Sequence, residues 1–271
     1  MLSFQEMRHL VKSVACIVVA WVFGSCATQV YLNRWEPAQV DLPRGLVLHI
    51  DAETRGPLRR ELHRAFAQQI SADGYYTVDG GGPCAHVRLH RVHVNMVEPS
   101  GEDKHHRRPY PNRVELTADV VCNHQRIYRR ELSEYISCDY EDRPDWEGAA
   151  EDIAADVMRD LTPHLARYSM GVDAVDENPA VDQAAQACAA GNWEQGRQLA
   201  HAALQQNPNE AEACYVLGII ERNARNYAES DSWFRKAYQL KPESKYTSAI
   251  RGNAAQQAAE QRAYSQLNSS I

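Results

Sequence analysis

Pro208 and Pro242 recur at a spacing of about 34 residues, and self-similarity at a fixed period of that size means one supersecondary unit stacked on a copy of itself. Each proline closes a segment with an alanine five residues earlier, Ala203 and Ala237. In the second unit Leu217 and Gly218 fall in a first helix and Ser230 and Phe234 in a second, followed by Ala237 and Pro242. The first unit, about 177–210, keeps Ala184, Gly196, Ala200, Ala203 and Pro208 at matching places. The residue types suit the packing. Small side chains at Ala203, Gly218 and Ala237 let antiparallel helices approach closely, Phe234 fills the space between them, and Pro242 ends the helix.

These positions resemble the tetratricopeptide repeat, and the resemblance covers residues 177–268. Residues 244–267 read as a polar helix rich in Ala and Gln, with Tyr246, Ile250, Ala254, Ala258 and Tyr264 within reach of one face. Such a segment suits the wet terminal cap that a stacked array requires. The resemblance implies a concave groove that takes a peptide or another protein. Asn192, Trp193, Arg197, Arg222, Asn223 and Arg225 are the polar and aromatic candidates for partner binding near the helix faces and turns.

Ahead of the repeat, the pattern predicts an α+β domain over 44–170. Leu46 to Ile50 reads as a strand. Pro57 then opens a helix whose apolar positions, Leu58, Leu62, Ala65, Phe66 and Ile70, recur at helical spacing up to Gly74. Tyr75 to Val78 reads as a second strand. In the stretch 85–97, Val87 and Leu89 share one parity while Val92, Val94 and Met96 share the other, so a β-bulge near His90 and Arg91 is expected. A clean alternation from Val114 to Cys122 returns, Asn123 to Gln125 turn, and 126–138 follows as another strand. Trp146 to Leu165 then carries one long apolar helical face. A mixed sheet with helices on one face, followed by an all-α module, is the expected fold class. Over residues 37–168 this order resembles the small α/β domain of envelope lipoproteins such as the curli secretion lipoprotein and the activators of penicillin-binding proteins. That likeness is topological and transfers no functional residue.

The amino terminus reads as a secretory signal. Arg8 and Lys12 precede an apolar run from Val14 to Phe23, about half the length a membrane-spanning helix needs, and Gly24 and Ser25 stand before Cys26. Phe23-Gly24-Ser25-Cys26 resembles the lipobox of bacterial lipoproteins, with Phe23 in place of the preferred leucine. The resemblance implies a signal peptide over 1–25, a diacylglycerol on Cys26 and acylation of the new amino terminus. Residues 26–43 would be an extended tether, and the protein would sit at the outer membrane facing the periplasm. The expected partners are then other envelope proteins or peptides.

The charge of −7 recommends no nucleic acid as partner. Setting aside Cys16 and Cys26 leaves Cys84, Cys122, Cys138, Cys188 and Cys214. A bridge among the first three is expected if the compartment oxidises thiols, with buried free thiols as the alternative. No cofactor or metal is expected. His86 and His90, about 13 Å apart by strand rise, cannot share an ion unaided. His49 and Asp51 flank Ile50 as a conceivable acid–base pair, but no nucleophile or phosphate-binding motif accompanies them, so no enzyme is expected. The reading is a lipid-anchored adaptor working through its helical module. The alternative is a component of an envelope secretion assembly resembling the curli lipoprotein.

Overall fold

The computed structural model describes residues 27–78, 80–97, 110–138, 143–175 and 178–269. The signal peptide expected over 1–25 and the expected lipidation site Cys26 therefore lie outside the described residues. Six strands and seven helices occur among those described: β1 Thr28–Glu36, β2 Val47–Ala52, α1 Pro57–Asp73, β3 Cys84–Val97, β4 Tyr110–Cys122, β5 Gln125–Tyr135, α2 Trp146–Leu161, β6 His164–Val172, α3 Pro179–Ala189, α4 Trp193–Gln206, α5 Ala211–Asn223, α6 Tyr227–Leu240 and α7 Ser244–Asn268. The chain divides into two compact units. Among the described residues one, the sheet unit, lies within 35–165 and 259–269; the other, the helical unit, lies within 27–34 and 166–258.

In the sheet unit the strands lie in the order β2-β3-β4-β5, with β2 parallel to β3 and the other pairs antiparallel. Pro57 sits at the start of α1, and Gly74 in the left-handed conformation closes it, its N–H bonding the Ile70 carbonyl. Leu58, Leu62, Phe66 and Ile70 of α1 join Ala150, Ile153, Val157 and Leu161 of α2 in one core over Leu48, Val87, Leu89, Val114, Leu116 and Val120. The strands contribute alternate residues, so both helices cover the same face and the fold is α+β. The expected bulge lies between His90 and His93, where Arg91 takes a positive φ of 53°. Asn123 and His124 both adopt positive φ in the β4–β5 turn, as the tight hairpin turns that match strand twist require.

Three segments depart from the sequence expectation. Tyr75 to Val78 makes a single parallel bridge, Thr77 to Val47, rather than a strand. The helix expected to reach Leu165 ends at Leu161, where the Thr162 N–H and hydroxyl both bond the Met158 carbonyl. Pro163 disfavours helical backbone in the residue before it, and the chain leaves as β6. The tether expected over 26–43 contains β1 instead, which pairs with β6 in a separate two-stranded sheet.

In the helical unit, equivalent backbone hydrogen bonds recur at a shift of one repeat period. Asn192 N–H bonds Ala187 O at 2.8 Å and Asn226 N–H bonds Glu221 O at 2.9 Å; Asn207 N–H bonds Ala203 O and Lys241 N–H bonds Ala237 O, each at 2.9 Å. The hairpins α3–α4 and α5–α6 thus share one geometry, with Gly191 (φ 82°) and Arg225 (φ 62°) in the same left-handed place of the turn. Close approach is achieved differently in each. A Cβ on Gly196 would meet Cys188 Sγ at 2.4 Å and Ala184 O at 3.1 Å, whereas a Cβ on Gly218 would meet the Phe234 ring at 2.4 Å. Ser230, the counterpart of Gly196 in the second hairpin, uses its hydroxyl to bond Gly218 O at 2.8 Å. Residues from Ala211 to Arg222 of α5 are all buried. Val30 and Leu32 of β1 with Met170 and Val172 of β6 complete the same core, so the strand pair packs onto the helices.

Candidate functional site: a hollow beside the hairpin turns of the helical unit

The inward alternation of Val30 and Leu32 turns Tyr31 and Asn33 outward, and that of Met170 and Val172 does the same for Arg167. These three residues, with Trp193 at the start of α4, Asn223 at the end of α5 and the chain from Cys188 to Gly191, line an open hollow of about 400 Å³. The Arg167 guanidinium lies 4.2 Å above the Tyr31 ring, which is 47% exposed. Among the described residues no carboxylate pairs with Arg167. Trp193 rests one side on the apolar core and shows the other to the hollow. The Cys188 thiol beneath it is pushed up to about 12 by burial, so it stays protonated and unreactive at neutral pH. Two aromatic rings, an unpaired guanidinium and two amides suit recognition of a peptide bearing a carboxylate.

The six residues expected to bind a partner do not gather in one place. Trp193 and Asn223 line the hollow. Asn192 caps α4 and is exposed, and Arg225 occupies the exposed α5–α6 turn. Arg197 is paired with Glu221 and lies 3.8 Å from Glu194. Burial alone would raise the Glu221 carboxyl, but the hydrogen bonds from Arg197 and Asn226 outweigh it and hold the group below its ordinary value. Arg222 is inside the unit, 5% exposed. Its guanidinium bonds Asn253 Oδ1 at 2.6 Å, Met170 Sδ at 3.4 Å and the Ala249 carbonyl, and lies over the Phe234 ring. Burial lowers its pKa, and its position removes it from any outer binding surface. Tyr31, Asn33 and Arg167 were not expected at all; the alternation around Val30, Leu32, Met170 and Val172 is their signal, and it is too short in either strand alone to be read.

The other candidate chemistries have ordinary structural partners. His49 and Asp51 do not pair with each other. Asp51 meets His86 Nδ1 at 3.0 Å on the uncovered face of the sheet, and the His49 and His86 rings are 5.1 Å apart. On the same face Asp119 accepts two bonds from Arg129, at 2.7 and 2.9 Å, and faces His90 Nε2 at 3.1 Å. Arg129 chiefly, with His90, holds the Asp119 carboxyl below its ordinary value. Asp173, Glu212 and Glu243 converge in the helical unit, but the Lys245 ammonium stands among them and supplies the cation the cluster needs.

Cys84, Cys122 and Cys138 are free thiols. Cys122 opposes Ala85 on the β3–β4 ladder and shares its face, so Cys84, one residue away, points to the other side of the sheet. Cys138 lies against Pro111 O at 3.3 Å, eleven residues along β4 from Cys122, or about 36 Å by strand rise. Strand parity and distance thus separate the three, and the expected bridge does not form.

No family model matches the sequence, and no curated protein does. Among solved structures, the chain is similar to the crystal structure of a minor lipoprotein from Acinetobacter baumannii at 13% identity and a TM-score of 0.32, covering 43% of this chain and 92% of that one. A likeness of that size carries no argument about this chain. No helix among the described residues is long and apolar enough to cross a membrane.

Proposed function

We propose that this protein is a lipid-anchored component of the bacterial cell envelope that acts as a protein-interaction adaptor through tetratricopeptide-like helices. The observation that carries the adaptor reading is the hollow joining Trp193 and Asn223 of the helical hairpins to Tyr31 and Arg167 of the strand pair. The anchor rests on the sequence Phe23-Gly24-Ser25-Cys26. Two or more acyl chains hold a domain stably on a bilayer where a single chain does not.

β1 begins at Thr28, two residues after Cys26, a reach of at most about 7 Å for extended chain. An acylated Cys26 therefore leaves no long tether, and the hollow faces partners that are themselves at or near the membrane surface. Half of the tether expected over 26–43 is instead the strand β1.

Metabolic labelling with palmitate tests the anchor: labelling lost in Cys26→Ser supports it, and unchanged labelling refutes it. Pull-down of the detergent-solubilised chain tests the adaptor half independently. A discrete partner retained by the native chain and lost from both Arg167→Ala and Trp193→Ala supports it; the same recovery from all three refutes it.

A further inference from the structure

Among the described residues the third repeat of the helical unit is represented by its first helix alone. The hairpin turns fall at Gly191 and Arg225, and the third equivalent position is Ala259, where α7 runs on unbroken from Ser244 to Asn268. No helix among the described residues turns back to take the place that α6 takes against α4 and α5. In the completed interface His201 of α4 meets Trp233 of α6, with ring centroids 6.0 Å apart, and Ala213, Val216 and Leu217 of α5 are fully buried. Their counterparts one period later are Arg235 for His201, and Thr247, Ile250 and Arg251 for the three α5 residues. None of these four is buried. Together with Tyr238 and Gln239 they line an open groove of about 420 Å³ between α6 and α7. Its floor is mostly apolar, with Tyr238 40% exposed, and its rim is cationic. Arg235 is held by Asp231 at 2.6 Å, and among the described residues no carboxylate pairs with Arg251.

We infer that this groove is a docking site for an amphipathic helix of a partner protein, seated where a sixth helix of the array would lie and carrying carboxylates against Arg235 and Arg251. The internal repeat supplies the geometry, since an equivalent groove one period earlier is filled by a helix. The charges choose the occupant. A second copy of this chain packed face to face would bring the same arginines together across a two-fold interface, which like charges oppose. An apolar helix with acidic flanks covers Tyr238 and Ile250, pairs Arg251 and shares the exposed Arg235 with Asp231.

The test uses the full chain purified in detergent and two labelled synthetic peptides, each an 18-residue helix with Leu and Ala on one face. One peptide carries Glu on its flanks and the other Lys. Binding is read by fluorescence anisotropy with the signal of protein-free micelles subtracted, and circular dichroism confirms that each variant keeps its helix content. The Glu peptide binds the native chain and weakens at least tenfold on Arg235→Glu/Arg251→Glu, while the Lys peptide shows the reverse order. Tyr238→Ala weakens both favoured pairings. Binding indifferent to charge reversal, no binding of the Glu peptide, or a native dimer dispersed by Tyr238→Ala would each overturn the inference.

Discussion

The two units stabilise their interiors by different means. In the helical unit the close approach of the helices is set by side-chain volume, beside ion pairs such as Arg197 with Glu221. Gly218 exists to admit the Phe234 ring, Gly196 to admit Cys188 and the Ala184 carbonyl, and the buried Arg222 is satisfied by an amide, a carbonyl and a sulfur without a carboxylate. In the sheet unit an apolar core is supplemented by ion pairs. Arg130 ties β5 to Asp156 and Asp160 of α2 at 2.7 and 2.8 Å, and Arg129 and His90 gather around Asp119 on the uncovered face. The helix crossings at Gly196 and Gly218 therefore depend on volume and not on pH, whereas the cluster at Asp119 depends on protonation.

The comparison breaks most easily at Phe234, which is fully buried. Phe234→Ala removes the ring that Gly218 accommodates and is expected to cost about 3–5 kcal/mol, by the usual penalty for emptying a core aromatic site. Chemical denaturation should show that loss equally at pH 7 and pH 5. Gly218→Ala comes next, at about 1–3 kcal/mol, because its new Cβ meets the ring at 2.4 Å. Phe234→Leu in the same chain should recover part of it. Gly196→Ala is milder, about 1 kcal/mol, since the flexible Cys188 side chain can give way while the Ala184 carbonyl cannot. Cys188→Ala should relieve it further.

In the sheet unit Asp119→Asn tests the electrostatic half. Its folded pKa is depressed, so the stability it contributes is present above the ordinary carboxylate pKa of about 3.9 and is lost as pH falls through the folded value. Denaturation followed from pH 6 down to pH 2 should show native and variant chains converging at the acid end. A constant difference across that range would contradict the assignment.

Much of the helical unit was legible because repeats place small and large residues at fixed intervals. The bulge at His90 and Arg91 was legible for a similar reason, as a change of alternation phase. What remained hidden depends on partners distant in sequence. β1 and β6 pair across more than a hundred residues, and neither carries enough alternation alone to announce a strand against Pro37 or the helix that ends at Leu161. Arg222 reads as a surface cation on any helical wheel, yet α5 is enclosed on every side, including by Met170. The hollow needed both pieces, since Tyr31, Asn33 and Arg167 come from the strands and Trp193 and Asn223 from the helices. The three cysteines were legible as residues of one domain, but their faces were not.

The measurement that bears most directly on the adaptor reading is site-specific photo-crosslinking from Asn33, an exposed residue of the hollow, in cells that carry the full-length chain. The expected result is one discrete protein adduct that disappears with Arg167→Ala and is absent when the crosslinker stands at Glu131 on the uncovered sheet face. No adduct at Asn33, or an equal adduct at Glu131, would contradict it.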